Sequence, residues 1–146
     1  MAVNVKRIVL WRADVENKPG VLATTLEPFA ACGADLQVVM VYRFPGNENR
    51  GAIELYPVAG RRSAAAAQAG GLSASAIPTV LVDGDNRPGL GHAVAKAIAD
   101  AGINLIFLMA QVLGRRYSAV MGFESEADSK KAAALIKKAT TPKKRK

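Results

Sequence analysis

One cysteine, one histidine and few aromatic residues bound what this sequence of 146 residues can do. A lone Cys32 excludes an intrachain disulfide, and its apolar helical surroundings mark it as a small core hydrophobe rather than a reactive thiol. Aromatics make up 5% of the chain, so the core has to be assembled from Val, Ile, Leu, Met and Ala. His92 stands alone, without a nucleophile motif near it, and reads as a solvated or capping residue. No metal-ligand spacing is present. Asp83-Gly84-Asp85 begins like a calcium loop, but Pro88-Gly89 follows and the terminal Glu is missing, so neither a metal nor another cofactor is expected. The apolar run Ile8 to Trp11, flanked by Arg7 and Arg12, is too short for a signal segment or a membrane span, which predicts a cytoplasmic chain with no membrane partner.

The net charge of +8 is mostly local. Lys137, Lys138, Lys143, Lys144, Arg145 and Lys146 hold six of the positive charges, and +2 remains without them. Residues 140–146 are therefore expected to be a basic disordered tail, opened by Thr140-Thr141-Pro142.

An internal repeat organises the rest. Residues 14 to 20 read Asp-Val-Glu-Asn-Lys-Pro-Gly, and residues 83 to 89 read Asp-Gly-Asp-Asn-Arg-Pro-Gly. At a constant offset of 69, Asp14/Asp83, Asn17/Asn86, Pro19/Pro88 and Gly20/Gly89 coincide, and Ala30/Ala99, Gly33/Gly102, Leu36/Leu105 and Met40/Met109 continue the register.

Both copies predict the same elements. A short apolar strand, Ile8 to Trp11 or Thr79 to Val82, leads into the Pro-Gly loop. A helix follows, closed by Gly33 or Gly102 as a left-handed cap, with Pro28 expected to kink the first helix. Strands are then expected over Leu36 to Tyr42 and Ala52 to Tyr56, and over Leu105 to Val112 and Tyr117 to Phe123. Helices at Arg61 to Ala69 and Glu126 to Lys138 come next. Leu72 to Ile77 is a weak fourth strand of the first copy, and the second copy has no candidate for one. The order βαββαβ defines an α+β protein of two ferredoxin-like modules, each an antiparallel sheet with its helices on one face, the two sheets expected to pair edge to edge. The expected boundaries are 1–76 for the first module and 77–139 for the second.

The loop is the strongest functional signal. Asn and Pro set a turn and Gly permits tight approach to a helix, which accounts for part of the pattern without any ligand. It accounts less well for an Asp and an Asn in both copies, namely Asp14, Asn17, Asp83 and Asn86. A glycine opening a helix also leaves backbone N–H groups facing outward at the positive end of the dipole, a seat for a carboxylate beside Gly20-Val21 and Gly89-Leu90.

The Asn-x-Pro-Gly loops, with the closing Gly33-Ala34-Asp35-Leu36 and Gly102-Ile103-Asn104-Leu105, resemble the ACT domain family over roughly residues 5 to 139. The resemblance implies a non-catalytic regulatory module that binds an amino acid or similar small ligand at the contact between two such units. It implies ligand contacts at Asn17, Gly20 and Asp35, and at Asn86, Gly89 and Asn104. The histidine that some members carry two residues before the Asn is Val15 or Gly84 here, so their specificity does not transfer. Asp35 could hold a ligand ammonium where Asn104 offers only neutral hydrogen bonds, which predicts two inequivalent sites.

The alternative is a nucleic-acid or protein-interaction module, since RNA-recognition domains share the element order and the tail could bind polyanions weakly. Such domains need stacking aromatics on the third strand, and neither Ala52 to Tyr56 nor Tyr117 to Phe123 has the required pattern. No catalytic domain is expected to be attached. The expected partners are a small ligand and, left open, a second copy of the chain.

Overall fold

In the computed structural model, residues 3–141 are described. They form eight strands and four helices grouped into two units, one of residues 9–76 and the other of residues 77–141 with the N-terminal strand.

In the unit of residues 9–76, β2 (Trp11–Glu16), α1 (Val21–Ala31), β3 (Val38–Phe44), β4 (Asn47–Tyr56), α2 (Gly60–Ala69) and β5 (Ser73–Ala74) follow in order. The antiparallel sheet runs β3-β4-β2-β5. Strand alternation puts Trp11, Ala13 and Val15 on the face of Ile53 and Leu55, where Phe29 of α1 and Ala66 and Ala67 of α2 close the core. Beside the small α2 residues, Phe29, 1% exposed, is the largest fully buried side chain of this core. The helix α1 runs unbroken past Pro28 and ends as expected at Gly33, whose φ of 73° lets the Ala34 N–H donate to the Phe29 carbonyl at 3.0 Å.

The other unit contains β1 (Val3–Ile8), β6 (Thr79–Asp85), α3 (Leu90–Asp100), β7 (Leu105–Leu113), β8 (Arg116–Phe123) and α4 (Glu126–Thr140). Its sheet runs β1-β6-β8-β7, again antiparallel. Val80, Val82, Met121 and Phe123 pack beneath Val94 and Ile98 of α3 and Ile136 of α4. Ser125 caps α4 by accepting from the Asp128 N–H at 3.0 Å, with acids in the first turn and Lys137 and Lys138 in the last.

Three expectations require correction. The run Ile8 to Trp11 is not one strand, because β1 ends at Ile8 and β2 begins at Trp11 in the other sheet. The module boundary at 1–76 fails for the same reason: residues 3–8 pair with β6, in register from Val3 opposite Gly84 to Ile8 opposite Thr79. Val3 and Val5 pack against the core of residues 77–141 and supply the fourth strand that the second repeat lacks. The tail does not start at Thr140, which is buried at the end of α4 with its hydroxyl donating to the Ile136 carbonyl at 2.7 Å. The remaining tail expectation falls on residues 142–146, outside the described residues.

Candidate functional site

The repeated loop builds the same backbone twice. Gly20 and Gly89 precede α1 and α3 with φ of 90° and 83°, the left-handed region that glycine occupies without strain. An added Cβ would meet nothing within 4 Å at either position, so the requirement for glycine is conformational rather than steric. Neither helix has a capping side chain or an acid in its first turn. The Thr24 N–H donates to the Gly20 carbonyl at 3.0 Å, as Ala93 does to Gly89, so the amides of Leu22 and Ala23 precede the first intrahelical bond and have no acceptor within the helix.

The recurring asparagines hold the loop to a neighbouring hairpin. The Asn17 backbone N–H donates to the Asn49 carbonyl at 2.8 Å, and that of Asn86 to the Arg115 carbonyl at 2.8 Å. The Asn17 side chain adds a bond from Nδ2 to the Glu48 carbonyl at 2.8 Å. The backbone bond shared by both copies is one that any residue with an N–H could make, and the side-chain bond is particular to Asn17.

In the unit of residues 9–76 the loop opens on a cleft of about 390 Å³. Asn17, Gly20 and Val21 line it, joined by Glu16, Lys18 and Leu22, while Val41 to Arg43 and Gly51 to Ile53 form the opposite wall. Register explains the wall. Val41 faces Ile53 and Arg43 faces Gly51, on the side of the sheet that carries Val15 and the helices. Gly51 is required by close approach, because a Cβ there would lie 2.5 Å from the Tyr42 carbonyl oxygen. The cleft thus combines helix-terminal amides, Arg43, the exposed Glu16–Lys18 ion pair at 3.2 Å and an aliphatic surface.

The other expected residues are distributed differently. Asp14 lies on β2 and pairs with Arg12 at 3.1 Å, outside the cleft lining. Asp35 lines a separate cleft of about 560 Å³ with Cys32 and the Gly60–Ser63 segment, so the structure does not bring it to Asn17 and Gly20 within this unit. Asp83 pairs with Arg116 at 3.5 Å, and Asn104 accepts from its neighbour's Leu105 N–H at 3.1 Å. Gly89 and Leu90 open α3, where Leu90 is buried in the core. Sequence reasoning missed Val41, Arg43 and Gly51, which lie far along the chain from the loop and carry no motif. A glycine inside a strand was the one available signal.

On the sheet face opposite α1 and α2, Arg12 lies over the Phe44 ring at 5.6 Å and the Tyr42 hydroxyl donates to Glu54 Oε2 at 3.0 Å. Burial, reinforced by the Glu54 carboxylate, pushes the Tyr42 phenol up to about 12. A raised value means that the folded chain holds this proton more tightly than the unfolded one, so the contribution is complete below pH 10 and is lost as pH rises towards 12. A phenolate absorbance titration should show a phase near pH 12 that Tyr42→Phe removes, and an unchanged profile in that variant would refute the assignment.

Among the described residues no group of three or more His, Cys, Asp or Glu side chains is arranged to hold a metal ion, and no helix is long and apolar enough to cross a membrane. Tyr117 and Phe123 are buried in the core, so neither ring is available on β8 for base stacking.

Two four-stranded antiparallel sheets carrying paired helices in a doubled βαββαβ pattern define the fold as tandem ferredoxin-like modules. This doubled arrangement is the fold implied by the resemblance of the repeated loops to the ACT family. The chain is similar in structure to protein BT0572 from Bacteroides thetaiotaomicron, at 15% identity and a TM-score of 0.72 over 92% of this chain and 89% of that one. It is similar to the regulatory subunit of aspartate kinase from Thermus thermophilus in its ligand-free form, at 16% identity and a TM-score of 0.62 over 95% and 97% of the two chains. The corresponding subunit from Thermus flavus matches at 16% identity and a TM-score of 0.56, with the same coverage. No protein-family model and no curated protein matches the sequence. At these identities the likeness establishes the fold.

Proposed function

We propose that this chain is a non-catalytic regulatory protein that binds an amino acid in the cleft between the Asn17–Gly20 loop and β3. The observation that carries this reading is the cleft's position, directly on the uncapped N-terminus of α1. The ligand carboxylate sits on the Leu22 and Ala23 amides and is neutralised by Arg43. Glu16, which pairs with Lys18 at 3.2 Å in the ligand-free chain, is the carboxylate that lines the same cleft, and it exchanges that partner for the ligand ammonium, the role first expected of Asp35. Val15, Val21 and Val41 offer an aliphatic surface, which favours an aliphatic side chain. The matching loop at Asn86 and Gly89, with Asp83, Leu90 and Asn104 nearby in sequence, is a second and inequivalent site. The regulatory subunits of aspartate kinase that share the fold support a regulatory role.

A thermal-shift screen of the common amino acids tests the proposal. Ligand at one hundred times its dissociation constant stabilises the native state by about 2.7 kcal/mol, which raises the melting temperature by roughly 5–11 °C for a chain of this size. Arg43→Ala should weaken binding of the responding amino acid by about tenfold or more, as loss of a charge-assisted hydrogen bond implies. No shift with any amino acid, repeated by calorimetry, would leave the loops as structural turns.

A further inference from the structure

The two copies of the repeat share a loop, but the strand that faces it differs. On β4, Gly51 stands opposite Val15 of β2 and Arg43 of β3. On β8, the residue opposite Gly84 of β6 and Val112 of β7 is Tyr117. Val15 and Gly84, like Arg43 and Val112, are separated by the repeat offset of 69, so Tyr117 holds the place in its sheet that Gly51 holds in the other. A valine beside a glycine in one unit has become a glycine beside a tyrosine in the other. The space that Gly51 leaves open belongs to the cleft below the start of α1. Tyr117 is 5% exposed and packs in the core with Leu90 and Val94 of α3. Its hydroxyl oxygen lies 4.0 Å from where a Cβ would stand on Gly91. Gly91 is the counterpart of Leu22, and its amide likewise precedes the first intrahelical bond, from the Ala93 N–H to the Gly89 carbonyl. Burial pushes the Tyr117 phenol up, which keeps it a neutral hydroxyl.

We infer that Tyr117 fills the seat beside the Asn86–Gly89 loop, so that the folded chain takes one amino acid, in the cleft of residues 9–76, and holds its second site shut with its own side chain. The inference rests on the reading of the first cleft given above, and it states what makes the second site inequivalent. Two differences point the same way. The ring occupies the volume that a ligand would need, and its hydroxyl reaches the first turn of α3. Val112 stands where Arg43 would neutralise a carboxylate. The second seat therefore lacks the cation that would offset the cost of expelling a buried aromatic ring.

Calorimetric titration of the full chain with the amino acid that responds in the thermal-shift screen should give one bound molecule per chain. At saturation the amides of Gly91 and His92 should keep their chemical shifts. Val112→Arg restores the missing cation at a half-exposed position and should still give one. Combined with Tyr117→Ala it should give two. Phenol, which replaces the lost ring and hydroxyl, supplies an arm that needs no amino acid: it should raise the melting temperature of Tyr117→Ala, shift Gly91 and His92 there, and leave the wild type unchanged. Two molecules bound by the wild type or by Val112→Arg alone overturn the inference. So do saturable changes at Gly91 and His92 in the wild type, a folded double variant that still binds one, or a folded Tyr117→Ala that ignores phenol. The wild-type stoichiometry and shifts decide even where a variant fails to fold. No binding of any amino acid to the wild type or the double variant sinks the reading of the first cleft, and the inference with it; binding with the wrong stoichiometry sinks the inference alone.

Discussion

Deleting residues 1–8 is expected to destabilise residues 77–141 by about 3–6 kcal/mol, taking roughly one net hydrogen bond per lost ladder pair at about 0.5–1 kcal/mol each. Six pairs join β1 to β6, and Val3 and Val5 pack against the core that holds Phe123 and Ile136. The strand also lies against α4, with Arg7 reaching Glu126 at 3.3 Å. That ion pair is exposed and contributes little. Amide exchange distinguishes the two units. Val80, Val82 and Met121 should lose protection in the deletion, while Ile53 and Leu55, in the other sheet, should keep theirs. Equal loss in both sheets, or none in either, would contradict the assignment of β1 to the second module.

Phe29→Ala is the single substitution with the largest expected effect, about 3–5 kcal/mol, because truncating a buried phenylalanine removes its burial and leaves a cavity that the surroundings fill only in part. Phe29 is 1% exposed and ties α1 to the sheet of residues 9–76. The α2 residues in this core, Ala66 and Ala67, are small and cannot extend to fill the space. The only tryptophan, Trp11, packs against the same cluster, so its fluorescence in urea reports this unit. A loss below about 1 kcal/mol would mean that α1 is held by something other than this contact.

Much of this fold is written in the repeat. The offset of 69 residues between Asp14-to-Gly20 and Asp83-to-Gly89 placed both helices and both left-handed caps, because positive φ at Gly20, Gly33, Gly89 and Gly102 is a local demand with a local residue signature. The placement of β1 was not legible. Val3 to Ile8 alternates in a way that suits any half-buried strand, and which sheet it joins depends on pairing across more than seventy residues. Ile8 to Trp11 looks continuous since all four residues are apolar, yet the two strands it touches belong to different sheets. The site divides along the same line. Asn17, Gly20 and Val21 are loop residues whose motif is visible in the sequence and which line the cleft; Arg43 and Gly51 reach it through strand register, which the sequence expresses only once the sheet order is known. Asp35 borders a different cleft of the same unit, which a position just after a helix cap does not reveal.

The direct test of the central claim is a titration of the full chain with the amino acid that raises its melting temperature most, followed by amide chemical shifts. Binding in the proposed cleft predicts the largest changes at Gly20, Val21, Leu22 and Ala23, with Val41, Tyr42 and Arg43 following across the cleft and the same saturation for all of them. Arg43→Ala should shift that saturation to about tenfold higher concentration. Changes confined to Asp35 and the Gly60–Ser63 segment, or no saturable change at residues 20–23, would contradict the claim that the Pro-Gly loop and the start of α1 form the amino-acid site.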